Sequence, residues 1–228
     1  MTPRAALSDL DRFEKVYPSA AAANTALQRS LAARLAGVPT PAVLGRSGPM
    51  QLSFARITAA APPSLPGMIA TLQKLKRMPP YGLTRFDPFL RIRPRLANAP
   101  PHLQALVTAL QSQEQALDWP AGTVVHGDFH PGQTLQDTKG KVWILDLDDL
   151  ALAPPEADLG NLAAWLATQT KGTLGEAARG AQATVLAVAP QADPALTQHF
   201  LQIALIRRAL KLAERGQPWA LEQLPLPG

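Results

Sequence analysis

The chain has 228 residues, 46% hydrophobic and 17% charged, a globular composition long enough for one domain or two small lobes. It has no cysteine, which excludes disulfides, thiolate zinc sites and a cysteine nucleophile. The net charge of +5 is uneven: residues 1–100 carry 14 Lys/Arg against 4 Asp/Glu, residues 101–228 carry 8 against 13, and no acid lies between Glu14 and Asp87. Aromatics are only 5%, and apart from RIRPR at 91–95 the arginines are scattered, so the basic half reads as solvated surface and no nucleic-acid partner is expected. MTPRAALSDLDRFEK lacks the apolar stretch of a signal peptide and no run approaches a membrane span, so a cytoplasmic protein without a membrane partner is expected.

Ser8 opens SDLDRFEKVY, with Asp11 three residues on and Leu10, Phe13 and Tyr17 at helical spacing. The segment reads as a short helix with an imperfect capping box, and FEKVY reads equally as a strand. Pro18 ends it; Ser19 then caps an alanine-rich helix through Leu27, Leu31 and Leu35 that stops at Gly37 before Pro39. MQLSFARI (50–57) alternates Met50, Leu52 and Phe54 with polar residues as a strand does, PAVLG predicts another before it, and RSGP the turn between them. TAAAPPSLPG (58–67) is a proline-rich hinge, which divides the chain into a small mixed lobe (1–60) and a larger helical lobe (61–228). Helices are predicted at about 66–78, 101–118, 157–170, 174–188 and 194–215, for an α+β fold.

The chemistry gathers in VVHGDFHPGQTL (124–135) and the segment after it. VHGD is a strand running into a loop, and QTLQDTKGKVWILDLDD is a hairpin turning at DTKG (137–140). Folding it at 138–139 pairs residue 136 with 141 and 133 with about 144, which brings Gln133 and Asp146 together at the open end. Asp128 sits in the loop that enters that end, so three metal- or proton-handling side chains are expected to converge. Asp148 and Asp149 read as a helix cap and solvated charge in preference to extra metal ligands, and His130 as loop packing. A bland reading makes Asp128 a turn residue between glycines. A metallohydrolase using His126, Asp128 and His130 is disfavoured because only His102 and His199 remain as further histidines.

HGDFHPGQ…ILDLDDLALAPPEADLGNLAAWL resembles the aminoglycoside phosphotransferase and choline kinase-like superfamily, with weaker likeness from Ala20 to Pro80. The resemblance implies a protein-kinase-like two-lobe fold with a reduced N-terminal lobe and a mainly helical C-terminal lobe. It implies an ATP-dependent small-molecule phosphotransferase: Asp128 as catalytic base toward a hydroxyl, Asp146 binding Mg²⁺ on the nucleotide phosphates, and Gln133 adding a neutral oxygen ligand. Gln133 stands where the family usually has Asn, as in maltokinase-like branches. By the same resemblance His126 shapes the loop and Asp158 is structural.

The nucleotide half departs from this pattern. The first glycine is Gly37, so no glycine-rich strand–turn–strand precedes Lys15, the one lysine placed to bind nucleotide phosphates, and helix 19–36 has no acid to pair with it. Lys15 reads as that nucleotide-binding lysine or as a solvated residue of the first segment, and Arg29, Arg34 and Arg56 are alternative sources of phosphate charge. Three readings follow: an active kinase with a minimal upper lobe, a non-catalytic kinase-fold binding protein, or a chain whose start lies upstream. The C-terminal helices hold few acids (Glu176, Asp193, Glu214 and Glu222), which argues against a polycationic acceptor and for a sugar or similar neutral hydroxyl compound.

Overall fold

A computed structural model describes residues 11–117, 119 and 122–224. In chain order the elements are β1 (Arg12–Val16), α1 (Ala20–Leu35), β2 (Val43–Gly48), β3 (Gln51–Ala55), α2 (Leu65–Leu72) and α3 (Pro101–Ala116). These are followed by β4 (Thr123–Val125), β5 (Thr134–Gln136), β6 (Val142–Ile144), β7 (Ala151–Ala153), α4 (Glu156–Ala167), α5 (Leu174–Val188), α6 (Pro194–Glu214) and α7 (Trp219–Glu222). FEKVY is therefore a strand; the proposed Ser8 cap lies outside the described residues. Among the described residues no helix is long and apolar enough to cross a membrane.

The described chain folds as two compact units, each built from two segments: residues up to Tyr81 with Pro131–Leu150, and Gly82–His130 with the chain from Ala151 onward. The expected cut at residue 60 falls elsewhere than these boundaries. The first unit keeps α2 and the β5–β6 hairpin because their backbones bond to it: Ala60 N–H donates to Gln136 O, Ile144 N–H to Pro39 O, and the Thr71 hydroxyl to Val142 O.

In the first unit β1, β3 and β2 form an antiparallel sheet in that order. Ser19 caps α1 by accepting from Ala22 N–H, as its sequence position predicts. The buried side of α1 is its small one, Ala23, Ala26, Ser30 and Ala33, and Tyr17, Leu52 and Phe54 complete the core. Leu31 and Leu35 face outward.

The β5–β6 register differs by one residue from the expectation: Thr134, Leu135 and Gln136 pair with Ile144, Trp143 and Val142. Asp137 causes the shift. Its carboxylate accepts from Lys139 N–H, Lys141 N–H and the Trp143 indole, which enlarges the turn beyond a fold at 138–139.

The second unit pairs β4 with β7 and packs them beside α3–α7. One core joins Phe89, Ile92, Leu103, Leu106, Val107 and Leu110 to Ile203, Ile206 and Leu210; another joins Trp119 and Val125 to Ala151, Ala153, Ala157 and Phe200. Gly160 lets α4 and α6 touch: a Cβ there would lie 2.6 Å from Leu201 N and 2.7 Å from the Phe200 carbonyl carbon. Four of the five predicted helices are present within three residues of the expected bounds; the first, expected over about 66–78, is α-helical over Leu65–Leu72 and continues as a 3₁₀ helix over Gln73–Arg77.

Candidate functional site

Each unit carries part of the HGDFHPGQ…ILDLDD constellation. In the first, the end of the β5–β6 hairpin and the β1–β3–β2 sheet enclose a cavity of about 530 Å³. Its apolar wall includes Phe13, Tyr17, Phe54, Ile57 and Leu145, and its polar wall is Lys15, Arg56, Gln133, Asp146 and Asp148. The structure thus brings Gln133 and Asp146 onto one cavity, with Leu145 N–H donating to Gln133 O at 2.8 Å beside them.

Asp146 has φ 52°, the one non-glycine residue with positive φ among the described residues. A left-handed conformation costs roughly 1–2 kcal/mol outside glycine, and such strain concentrates at functional positions. It marks the turn from β6 into the short 3₁₀ helix Leu147–Asp149.

Lys15 Nζ donates to Asp146 Oδ1 and to Asp148 Oδ2, each at 2.8 Å. The partner that α1 cannot supply comes instead from the hairpin end. Burial opposes the Lys15 charge, and the hydrogen bonds to Asp146 and Asp148 outweigh it, so its pKa lies above the ordinary lysine value. Asp148 is therefore an ion-pair partner and not a helix cap. Of the three arginines weighed as phosphate cations, Arg29 donates to the Asp148 carbonyl oxygen and Arg34 to Thr40 O, whereas Arg56 lines the cavity.

These residues fit a divalent cation. Two carboxylates and a carboxamide face one cavity, hard oxygen donors suited to Mg²⁺, and the Lys15 ammonium already sits as a positive charge between the carboxylates. Among the described residues no cluster of three or more His, Asp or Glu side chains is placed to hold a metal; Asp146 and Asp148 are the two carboxylate residues lining this cavity, with the neutral Gln133 also in its wall.

Asp128 lies in the second unit, on a loop held from beneath by Asp158. Asp158 is 1% exposed and accepts from His126 N–H (2.6 Å) and Gly127 N–H (2.9 Å). Gly127 has φ 79°, which a side chain would resist, so the HGD turn needs glycine there. Burial pushes the Asp158 carboxyl up to about 6, against the pull of His126 and the two backbone donors. His126 is fully buried, accepts from Asp128 N–H through Nδ1 at 3.3 Å and packs edge-on against Phe129. Its role is to shape the loop.

The Asp128 carboxylate accepts from Arg207 Nη2 at 2.7 Å and from Arg91 Nη1 at 3.3 Å, with Asn161 Nδ2 at 3.5 Å. Asn161 also donates to Phe129 O at 2.8 Å. Burial would raise the Asp128 pKa; Arg207 and then Arg91 outweigh it and hold the carboxyl below its ordinary value. Burial takes His130 down to about 4, so it is neutral at pH 7. Asp128 opens onto a second cavity, of about 660 Å³, with Trp165, Arg208, Lys211 and Arg215 among its walls.

Sequence reasoning missed Asn161, Arg91 and Arg207. A signal existed for two of them: Asn161 follows Asp158 by three residues on one helix face, and Arg207, Lys211 and Arg215 recur every fourth residue along α6.

A family model described as "Phosphotransferase enzyme family" matches residues 10–195. No curated protein sequence matches the chain. Among solved structures, a choline/ethanolamine kinase family protein from Mesorhizobium loti is similar with a TM-score of 0.66 and 19% identity, over 94% of this chain and 80% of that one. An aminoglycoside phosphotransferase from Streptomyces rimosus, in complex with ADP and streptomycin, gives a TM-score of 0.64 and 22% identity, over 88% of each chain. A choline kinase from Streptococcus pneumoniae gives a TM-score of 0.64 and 13% identity, over 96% of this chain and 85% of that one. The kinase-like fold, with a small sheet-bearing lobe and a mainly helical C-terminal lobe, is shared with these structures.

Proposed function

The chain belongs to the phosphotransferase enzyme family, and from that premise we propose that it moves the terminal phosphate of ATP to the hydroxyl of a small molecule. The observation that carries this reading is the first unit's cavity, where an apolar wall meets Lys15 bonded to both Asp146 and Asp148. Phosphoryl transfer depends chiefly on positioning and on charge neutralisation, and this cavity supplies both.

Phe13, Phe54 and Ile57 offer the apolar surface for a nucleoside base, and Lys15 and Arg56 the charge for its phosphates. Mg²⁺ held by Asp146, Asp148 and Gln133 would neutralise the phosphate oxygens during transfer. Asp128 is the group that orients the acceptor hydroxyl and takes its proton. The acceptor oxygen bonds to the terminal phosphorus, the bridging P–O bond breaks with its electron pair leaving on ADP, and the proton passes to the Asp128 carboxylate. Arg207 and Arg91 keep that carboxylate ionised at neutral pH, ready to receive it. Asp158 fixes the loop by holding two of its backbone N–H groups.

The test is thermal melting with nucleotide and metal. A ligand at a hundredfold excess over its Kd stabilises the folded state by about 2.7 kcal/mol, and each kcal/mol moves the midpoint by about 2–4 °C in a chain of this size. Millimolar ATP with Mg²⁺ is expected to raise the midpoint by about 5–10 °C if Kd is near 10 µM, and Asp146→Ala to abolish the rise. If neither ATP nor GTP moves the midpoint with any divalent ion, the chain is a non-catalytic kinase-fold protein and the enzyme reading falls.

A further inference from the structure

The second cavity is dominated by cations. Arg207 and Lys211 on α6 and Arg215 at its C-cap follow at four-residue spacing, with Arg208 beside them and Arg91 and Arg95 also in the wall. Two carboxylates answer six cations: Asp128, held by Arg207 and Arg91, and Glu214, which is 51% exposed and bonded to Arg95. Among the described residues, no carboxylate forms an ion pair with Arg208, Lys211 or Arg215.

The negative end of a helix dipole favours cations in the last turn, and that accounts for Lys211 and Arg215 at the exposed end of α6. It does not account for Arg208. Arg208 is half-buried, sits next to Arg207, and its Nε finds only the Thr168 hydroxyl, at 3.3 Å. Burial and then Arg207 bring its pKa down to about 10, and Asp128, already bonded to Arg207 and Arg91, offsets this only in part. A guanidinium so placed, in a cavity with Trp165, Trp219 and Leu212 around it, is built to meet an incoming anion.

We infer that the acceptor is an anionic hydroxyl compound, a phosphate ester or a carboxylate, whose negative group is held by Arg208, Lys211 and Arg215 while its hydroxyl meets Asp128. This rests on the phosphotransferase reading for the fate of the hydroxyl, and on the second cavity alone for the charge. The transfer step is that given above, with ATP as donor and the anionic group unchanged. It replaces the neutral sugar expected from the scarcity of acids: that scarcity excludes a polycation, and the cations on the same helices select an anion. A volume near 660 Å³ suits a small metabolite.

The experiment is calorimetric titration of the whole chain, without nucleotide, using inorganic phosphate, acetate, glucose and glucosamine as probes. Phosphate or acetate is expected to bind saturably and at least about tenfold more tightly than glucose or glucosamine. The ratio of the two anions tells a phosphate-ester site from a carboxylate site. Arg208→Gln with Lys211→Gln is expected to weaken anion binding by about tenfold or more for each charge-assisted hydrogen bond removed. Lys211→Gln alone, at an exposed position, gives a partial weakening and covers failure of the double variant to fold. No saturable anion binding overturns the inference, as does anion binding that survives these variants, or glucose or glucosamine binding as tightly as the anions. Because nucleotide is absent, anion binding can succeed where transfer fails. Conversely, transfer to a neutral or cationic acceptor would overturn the inference and leave the enzyme reading standing.

Discussion

Asp128 and Asp158 serve one loop, the first half-buried on it and the second fully buried beneath it, and these surroundings drive the two carboxyls apart. Arginines hold Asp128 ionised, while burial pushes Asp158 up to about 6. Asp128→Asn should reduce phosphoryl transfer by about 10²–10⁴-fold, measured with radiolabelled ATP, while leaving the Mg²⁺–ATP melting shift in place. It should also cost about 1–3 kcal/mol, because Arg207, half-buried beside Arg208, keeps its bond to Asn161 but loses the Asp128 carboxylate. The melting temperature is therefore not expected to stay constant, as a purely chemical role would require. For Asp158 the sign runs the other way from most carboxylates. Its folded pKa exceeds the ordinary value of 3.8, so its contribution to stability is complete below about 4 and is lost as pH rises through about 6. Asp158→Asn takes away one of the two oxygens that accept from buried N–H groups and should cost about 1–3 kcal/mol. Midpoints of both proteins between about pH 4 and 7.5 check this: the wild-type advantage should shrink toward neutral pH.

Among the elements, helices were the most legible and the hairpin register the least. The apolar periodicity of α3, α5 and α6 survives any change of partner, since burying one stripe is required wherever the helix packs. The register of β5–β6 was set instead by Asp137 bonding across its own turn, which strand alternation does not reveal. In α1 the leucines do not set the buried face: it is formed by the small residues Ala23, Ala26, Ser30 and Ala33, with Leu27 only partly buried against the same core and Leu31 and Leu35 exposed. Gly160 makes the same point between α4 and α6. Ala favours helix over Gly by about 1 kcal/mol, yet Gly160→Ala should lower stability by about 1–3 kcal/mol, since the new Cβ meets backbone atoms that cannot move aside. Urea denaturation at constant slope would measure it.

For the whole molecule, the chain leaves the first unit after Tyr81, returns at Pro131 and leaves again after Leu150. The first unit is therefore discontinuous, and a fragment ending at Tyr81 lacks the hairpin whose Gln136 carbonyl accepts from Ala60 N–H, whose Ile144 N–H donates to the Pro39 carbonyl and whose Val142 carbonyl accepts from the Thr71 hydroxyl. Such a fragment should show no cooperative melting by circular dichroism, whereas the full chain should. A proline-rich segment at 58–67 looks like a boundary from composition alone, but it bonds to Gln136 through backbone and side chain and so lies inside the unit.

The sequence alone determined the helices, because periodicity and caps are local properties, and the fold class, through the motif that carries the family resemblance; by the same motif and hairpin spacing it singled out Asp128, Gln133 and Asp146 as candidates. Only the tertiary structure decided what answers them. Lys15 finds Asp146 and Asp148 at separations of 131 and 133 residues, and Asp128 finds Arg207 at a separation of 79. Long-range charge pairs depend on which faces pack together, and no local pattern encodes that choice. The basic stripe on α6 was written in the sequence at four-residue spacing, but it acquired meaning only when folding placed it around the Asp128 cavity and left Arg208 without a carboxylate partner among the described residues.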